Sequence, residues 1–169
     1  MKYEIYHEIG ANIDDLVKLT QMREERDPKV YPNVTSVKLV KEERKGNKYI
    51  TVLETCANGD IPPKLRKLIR PEMLSWHEYG EFDFDKNEYR YKVKTFYLSN
   101  VFSMHGRVQW TKIDENRTGR RMNVEIDIKI PILGKIAEKK ISETQIENLN
   151  LDPGRMPQEV EEARKLGKL

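Results

Sequence analysis

Apolar and polar residues alternate along much of the chain, and this pattern predicts β-strands. In residues 122–130 every even-numbered side chain is apolar and every odd-numbered side chain is polar or charged. Successive side chains of a strand point to opposite faces, so such a segment forms a strand with one buried face. The same kind of pattern predicts seven strands, over residues 2–9, 34–41, 48–56, 74–84, 88–96, 101–113 and 120–130.

Apolar residues spaced three and four positions apart predict two amphipathic helices. The first helix follows Asn12, a residue type that caps helix N-termini, and is expected to end before Pro28. The second helix runs from about residue 132 to residue 148, after Pro131 has ended the last strand. A further short helix is expected over residues 62–70, between two prolines that suit its first turn and a proline that stops it.

The order of these elements indicates an α+β fold. Most connections between the strands are short, so we expect one curved antiparallel sheet of about seven strands. The long C-terminal helix must bury its apolar stripe against that sheet, which then grips it. We predict a single domain over residues 1–150. The charged residues 151–169 are compatible with either a short helix or a loose tail.

Composition narrows the classes of function. The 169 residues carry a net charge of +3 without a basic tract or arm, so we predict no nucleic-acid partner. No apolar run approaches the ~20 residues of a membrane span, and the N-terminal segment lacks the apolar stretch of a signal peptide. The single cysteine, Cys56, excludes an internal disulfide and a cysteine-based zinc site. We expect a cytoplasmic protein and predict neither a metal nor another cofactor.

Three segments carry a resemblance to a known group of proteins. They are the opening strand with the helix of residues 10–19, the segment 31–34 (YPNV) that leads into a strand, and the segment 129–138 (KIPILGKIAE). In these the chain resembles the START-like, or helix-grip, superfamily, which includes START lipid-transfer domains, the birch-pollen allergen family and polyketide cyclases. The last segment is similar to the strand-to-helix junction of an uncharacterised bacterial branch.

The resemblance covers about residues 2–150. It implies a hydrophobic cavity between the sheet and the C-terminal helix, which in that superfamily binds lipids, sterols, hormones or polyketides. It implies no catalytic residue, because no catalytic motif is shared across the group.

Large apolar side chains share one face of the predicted sheet, and the C-terminal helix presents several more to that face. Together they form either a filled core or, as the resemblance implies, the wall of a ligand cavity. The side chains that we expect to line such a cavity are Trp76, Phe82, Phe84, Tyr89, Tyr91, Phe102, Met104, Trp110, Val124, Ile126, Ile128, Leu133, Ile136, Ala137 and Ile141.

Two titratable side chains, His7 and Glu78, fall on the same apolar face. In an apolar cavity either would orient the polar group of a ligand or act as an acid or base. Each side chain also has a structural explanation. Gly80 is compatible with a β-bulge that turns Glu78 towards water. His7 is compatible with a core residue near a strand end whose ring nitrogens are already hydrogen-bonded. His77 and His105 lie on the opposite face, so we predict no zinc site.

The segment 62–70 surrounds a few apolar side chains with lysines and arginines. Such a segment is compatible with a transient contact with an anionic membrane surface. It is equally compatible with a connector helix that packs on the sheet and keeps its charges in water.

Three functions are compatible with the sequence. The first is binding of a hydrophobic or amphipathic, lipid-like small molecule, as a carrier or sensor. The second is an enzyme of the polyketide cyclase or dehydratase type, which needs an acid/base pair pointing into the cavity. The third is a protein-interaction module with a filled core. The ligand's identity and the oligomeric state stay open at this point.

Overall fold

A computed structural model describes residues 1–22, 34–57, 61, 63–64, 66–67, 70 and 73–169. Its strands are β1 (Lys2–Ile9), β2 (Val34–Lys45), β3 (Lys48–Ala57), β4 (Ser75–Asp83), β5 (Glu88–Thr95), β6 (Phe102–Lys112) and β7 (Thr118–Ile128). Its helices are α1 (Ile13–Gln21), α2 (Leu133–Leu149) and α3 (Asp152–Lys165).

The strands of these described ranges form one seven-stranded sheet in the order β1-β7-β6-β5-β4-β3-β2. Every neighbouring pair is antiparallel. β2 to β7 pair with one another in chain order, whereas β1 pairs with the far side of β7. This arrangement confirms the predicted α+β fold with one antiparallel sheet and helices after it.

Alternation determines which face of the sheet is buried. In β7, the even-numbered residues from Met122 to Ile128 are buried, and their odd-numbered neighbours lie on the outer face. Met122 lies opposite Val108 of β6, and Ile126 lies opposite Met104. The apolar side chains of neighbouring strands are therefore adjacent on the inner face, where they form the floor of the core.

The β2–β3 hairpin is longer than its sequence pattern predicts. The pattern ends the second strand at residue 41, but β2 continues through its charged stretch to Lys45, which pairs with Lys48. Only two residues form the turn, and Gly46 has the positive φ of +59° that such tight turns require. Charged residues can extend β2 because it is an edge strand whose side chains at these positions reach water.

The first helix begins as predicted: the side-chain oxygen of Asn12 accepts a hydrogen bond of 2.8 Å from the backbone N–H of Asp14. α1 ends at Gln21. Pro28, which was expected to limit this helix, lies outside the described residues, and so do Tyr31, Pro32 and Asn33.

All three helices cover the inner face of the sheet. α3 buries Met156, Val160 and Ala163, and it packs on α1 and β1. Residues 152–165 thus form a helix whose apolar side belongs to a core cluster with Leu16 and Trp110. The first half of α2 contributes Ala137 to a second cluster. Between these two clusters, α2 spans the sheet without filling the space beneath it.

Candidate functional site

A cavity of about 750 Å³ lies between the inner face of the sheet and α2. Its walls are mostly apolar, and they include Trp76, Tyr91, Phe102 and Met104 from the strands and Ile141 from the helix. Binding sites for small organic molecules typically measure about 300–1,000 Å³ and have such walls. The cavity is therefore large enough for a ligand of steroid or fatty-acid size.

Two tyrosines of β5 lie flat over the middle of the sheet. The rings of Tyr89 and Tyr91 are stacked, with centroids 5.9 Å apart and an interplanar angle of 23°. Tyr89 covers Gly80 of β4, and Tyr91 covers Gly106 of β6, so closely that a Cβ atom on either glycine would overlap with the ring. The two glycines thus leave room for the aromatic floor of the cavity.

Glu78 points into the cavity from β4. It is 9 % exposed, and the Tyr89 hydroxyl donates a hydrogen bond of 2.7 Å to its Oε1 atom. The register of β3 with β4 is continuous through Gly80. The alternative explanation, a bulge at Gly80 that turns Glu78 outwards, is therefore wrong. A buried carboxylate with a phenol beside it can accept a hydrogen bond from a ligand or exchange a proton with it.

The wall that α2 contributes is partly polar. The residues of this helix that line the cavity recur at intervals of three and four; they are Ala137, Lys140, Ile141, Thr144, Gln145, Glu147, Asn148 and Leu149. The Tyr3 hydroxyl donates a hydrogen bond to Oε1 of Gln145. Burial raises the pKa of Tyr3 to about 12, so this phenol keeps its proton at neutral pH. One side of the cavity therefore offers amides and hydroxyls opposite the aromatic floor.

Arg120 lies at the end of the cavity near Trp110. Its side chain is 5 % exposed, and it forms an ion pair of 2.6 Å with Asp152 at the start of α3. Its Nη2 atom lies 2.8 Å from Nδ1 of His7. Because arginine only donates, His7 accepts through Nδ1, and its Nε2 donates to Oδ1 of Asn150 at 3.0 Å. A buried polar network thus joins β1 and β7 to the α2–α3 turn.

The structure brings most of the side chains named from the sequence to one cavity. Those on its wall are Trp76, Phe82, Tyr89, Tyr91, Phe102, Met104, Trp110, Ile128, Ala137, Ile141 and Glu78. A role of these residues in binding stays a prediction.

Six other predicted residues do not line the cavity: His7, Phe84, Val124, Ile126, Leu133 and Ile136. Val124, Ile126 and Leu133 pack with the start of α2 in the second core cluster. Phe84 packs beside Phe82 in the first.

The remaining two of the six, Ile136 and His7, lie outside the cavity lining for different reasons. Ile136 lies one position before Ala137 in α2 and is therefore turned about 100° away from it. His7 is on the inner face as expected, but the α2–α3 turn covers it, and its two ring nitrogens are taken by Arg120 and Asn150.

The sequence analysis did not identify several other side chains on the cavity wall. Arg120 continues the even-numbered series of β7 and could have been placed on the inner face by that parity alone. The β3 residues Thr51 and Thr55 are buried on the same face. Thr95 also lines the cavity, and its buried hydroxyl has no hydrogen-bond partner among the residues that the structure describes.

The segment 62–70 is only partly described. Lys64, Arg66, Lys67 and Arg70 are exposed, and Nε of Arg66 donates to the carbonyl oxygen of Ile61 at 2.8 Å. Its apolar residues Leu65, Leu68 and Ile69 lie outside the described residues, so contact with a membrane surface stays a prediction.

The described residues show neither a metal-binding cluster nor a membrane-spanning helix. Their histidine, cysteine and acidic side chains form no group of three or more that could hold a metal ion. None of their helices is both long and apolar enough to cross a membrane.

Solved structures with the same topology match nearly the whole chain. A protein of Thermus thermophilus superimposes with a TM-score of 0.67 at 18% identity, covering 96% of this chain and 99% of that one. The Zhui aromatase/cyclase of a Streptomyces species gives a TM-score of 0.66 at 13% identity, covering 96% and 94%. A START superfamily protein from Mycobacterium smegmatis gives 0.61 at 15% identity, covering 93% and 97%. The chain has the START-like helix-grip fold.

At identities this low, the likeness establishes the fold of the chain and not its function. No protein-family model matches the sequence, and no curated protein matches it significantly. α2 crosses only part of the inner face of the seven-stranded sheet, so a cavity remains between the sheet and this helix.

Proposed function

We propose that this START-like protein binds a hydrophobic or amphipathic small molecule between its sheet and α2, as a carrier or sensor. The observation that supports the proposal is the cavity of about 750 Å³ with its aromatic floor and its polar α2 wall. Burial of apolar ligand surface contributes about 25 cal/mol per Å² before ordering costs. The polar side chains, above all Glu78 and Gln145, then fix the orientation of the ligand.

Binding is tested with a fluorescent apolar probe, N-phenyl-1-naphthylamine, and by its displacement with fatty acids. We expect one probe molecule per chain. In the variant Ile141→Trp the larger side chain occupies the cavity, so the probe should bind at least about tenfold more weakly. The matched control is Lys139→Trp on the outer side of the same helix, where the side chain is 71% exposed.

Equal affinity in the wild type and both variants would show that the probe binds elsewhere. Native mass spectrometry of protein purified from cells complements the titration, because a bound natural ligand adds its mass to that of the chain. A protein that takes up neither the probe nor any lipid-like molecule would contradict the proposal.

A second candidate function, acid–base catalysis of the cyclase or dehydratase type, is favoured by the pair Glu78–Tyr89. A carboxylate and a phenol 2.7 Å apart inside the cavity are suitable groups for removing a proton beside a carbonyl. One of the structures with the same fold is an aromatase/cyclase.

This candidate is tested with 4-hydroxy-4-(2-naphthyl)-2-butanone, which loses water to form a conjugated enone when a base removes its α-proton. An enzyme should lose about 10²-fold in rate in the variant Glu78→Gln. The control is Glu81→Gln on the same strand, since Glu81 is half-exposed and pairs with Lys48 at 2.7 Å outside the cavity lining. A pure binding protein would give no enone above background and would change its probe affinity only a few-fold.

A further inference from the structure

The two flanks of α2 have different surroundings. On one flank, Glu138 is buried against β7 and the N-terminus, where it accepts a hydrogen bond of 3.0 Å from the backbone N–H of Ile128 and pairs with the amino group of Met1 at 2.9 Å. Lys140, two positions later, is turned about 200° around the helix axis and so lies on the opposite flank. It is half-buried and lines the cavity. Its side chain therefore lies where the cavity meets solvent.

The ammonium group of Lys140 forms no ion pair within the part of the chain that the structure describes. The neighbouring Lys139, on the outer side of the helix, pairs with Glu143 at 3.8 Å. The other cation of the cavity wall, Arg120, is neutralised by Asp152 at 2.6 Å. On the described wall, Lys140 is therefore the cation that still lacks a counter-ion.

Thr144 lies one helical turn after Lys140 and adds a hydroxyl group to the same part of the wall. Residues four apart on a helix have Cβ atoms about 5–6 Å from each other. Thr144 is half-buried and lines the cavity, and its hydroxyl has no hydrogen bond to the described residues. The two oxygens of a carboxylate only accept, so the ammonium and the hydroxyl can each donate to one of them.

The acidic groups of the wall determine where an anionic group can lie. Glu78 is buried on β4, and Coulomb repulsion in apolar surroundings excludes a second negative charge from its neighbourhood. Glu147 is exposed and lies about 10 Å from Lys140 along the helix axis, because each of seven residues rises 1.5 Å. A doubly charged phosphate would keep one charge uncompensated beside a single lysine. A carboxylate carries only one charge, which Lys140 neutralises.

We propose that Lys140 and Thr144 form a subsite at the mouth of the cavity for a carboxylate group of the ligand. The ligand class is then an apolar monocarboxylic acid whose head group lies beside α2. Its tail extends over Tyr91 and Tyr89 towards Val108 in the first core cluster. This inference rests on the proposed ligand-binding function and deepens it.

The experiment compares decanoic acid with 1-decanol, which has the same chain length but no charge, by displacement of N-phenyl-1-naphthylamine at neutral pH. The ratio of their dissociation constants is measured in the wild type and in Lys140→Met, which keeps an apolar side chain of similar length. The matched control is Lys139→Met, because Lys139 is 71% exposed on the outer side of the same helix.

We expect Lys140→Met to weaken binding of decanoate relative to decanol by about fivefold, because a partly exposed ion pair with a charged hydrogen bond is lost. Lys140→Arg keeps the charge and should leave the ratio within about twofold of the wild-type value, as should Lys139→Met. An unchanged ratio in Lys140→Met, or an equal change in Lys139→Met, would overturn the subsite while leaving the binding function intact. Failure of the wild type to bind the probe, the acid and the alcohol would overturn both.

A second measurement needs no variant, because nuclear Overhauser effects report how decanoate lies in the wild-type cavity. The protons beside the carboxylate should contact the methyl group of Thr144, and the far end of the chain should contact the methyl groups of Val108. The reverse pattern, with the carboxylate end at Val108, would contradict the subsite even if Lys140→Met failed to fold.

Discussion

The hydroxyl group of Tyr89 reaches across Gly80 to donate a hydrogen bond of 2.7 Å to Glu78. The two residues lie on neighbouring strands but not opposite each other, since Tyr89 pairs with Phe82 and Glu78 pairs with Val93. The contact forms only because Gly80, between them on β4, has no side chain. A single glycine therefore determines both the aromatic floor of the cavity and the position of its buried carboxylate.

The variant Gly80→Ala should displace the ring of Tyr89. The new methyl group overlaps with the phenol, so the ring must turn towards the cavity and lose its contact with Glu78. We expect a loss of about 1–3 kcal/mol in the free energy of unfolding, which is typical of overpacking. The affinity for N-phenyl-1-naphthylamine should fall as well. Thermal unfolding and probe titration measure the two effects.

Gly10→Ala is the control for this change, because a Cβ atom there meets nothing within 4 Å. If both alanine variants unfold alike and bind the probe alike, Gly80 has no special role in positioning Tyr89.

Glu138 should make the protein sensitive to acid. Burial opposes ionisation of this carboxylate and raises its pKa. The backbone N–H of Ile128, Lys135 and the amino group of Met1 together outweigh burial and bring the pKa down to about 2 from 4.5. Because the pKa of Glu138 is lower in the folded state than in the unfolded state, its ionisation stabilises the folded protein at pH values above the unfolded-state pKa. We therefore expect stability to fall as the pH drops from 4.5 towards 2.

The variant Glu138→Gln isolates this effect. It should be less stable than the wild type at neutral pH, and the difference should shrink as the solution becomes acidic. Denaturant unfolding at several pH values measures it, with the exposed Glu143→Gln as a control on the same helix. A difference that is the same at every pH would show that the charge of Glu138 does not matter.

Tyr3 should tie the second half of α2 to β1 through its hydrogen bond to Gln145. The variant Tyr3→Phe should lower the free energy of unfolding by about 1 kcal/mol, the net value of one such bond. It should also remove one tyrosine that ionises at a pKa of about 12. Because this pKa is raised above the usual tyrosine value of 10.0, the stabilisation is present below that pH and lost as the pH rises towards 12.

The ultraviolet absorbance of tyrosinate follows the ionisation, and denaturant unfolding follows the stability. Tyr6→Phe serves as the comparison, because Tyr6 lies exposed on the outer face of the same strand. Equal effects of the two substitutions on stability would argue against the link between Tyr3 and α2.

The strands and the buried face could be predicted from local alternation, and β7 shows why. A two-residue period needs no information from the rest of the chain, so parity correctly places Met122, Val124, Ile126 and Ile128 on the inner face. The same parity places Glu78 inside. The bulge considered at Gly80 is wrong, since the pairing of β3 with β4 is continuous there. The sequence left this alternative open because a glycine within a strand marks either a bulge or the close approach of a ring from another strand.

The boundary between core and cavity could not be predicted from alternation. Val124 and Ile128 have the same parity in one strand, yet only Ile128 lines the cavity. Which of them is covered depends on where α2 crosses the sheet, a contact between segments distant in the sequence. The expectation that His7 faces the cavity is wrong for the same reason, since its cover, the α2–α3 turn with Asn150, lies 143 residues away.

The central claim is that an apolar molecule lies under α2, and nuclear Overhauser effects between protein methyl groups and bound N-phenyl-1-naphthylamine test it most directly. We expect contacts from the probe to the methyl groups of Val93, Met104 and Ile141, which line the cavity. Contacts confined to the exposed methyl groups of Val40, Ile132 and Leu166 would place the probe on the surface and contradict the claim.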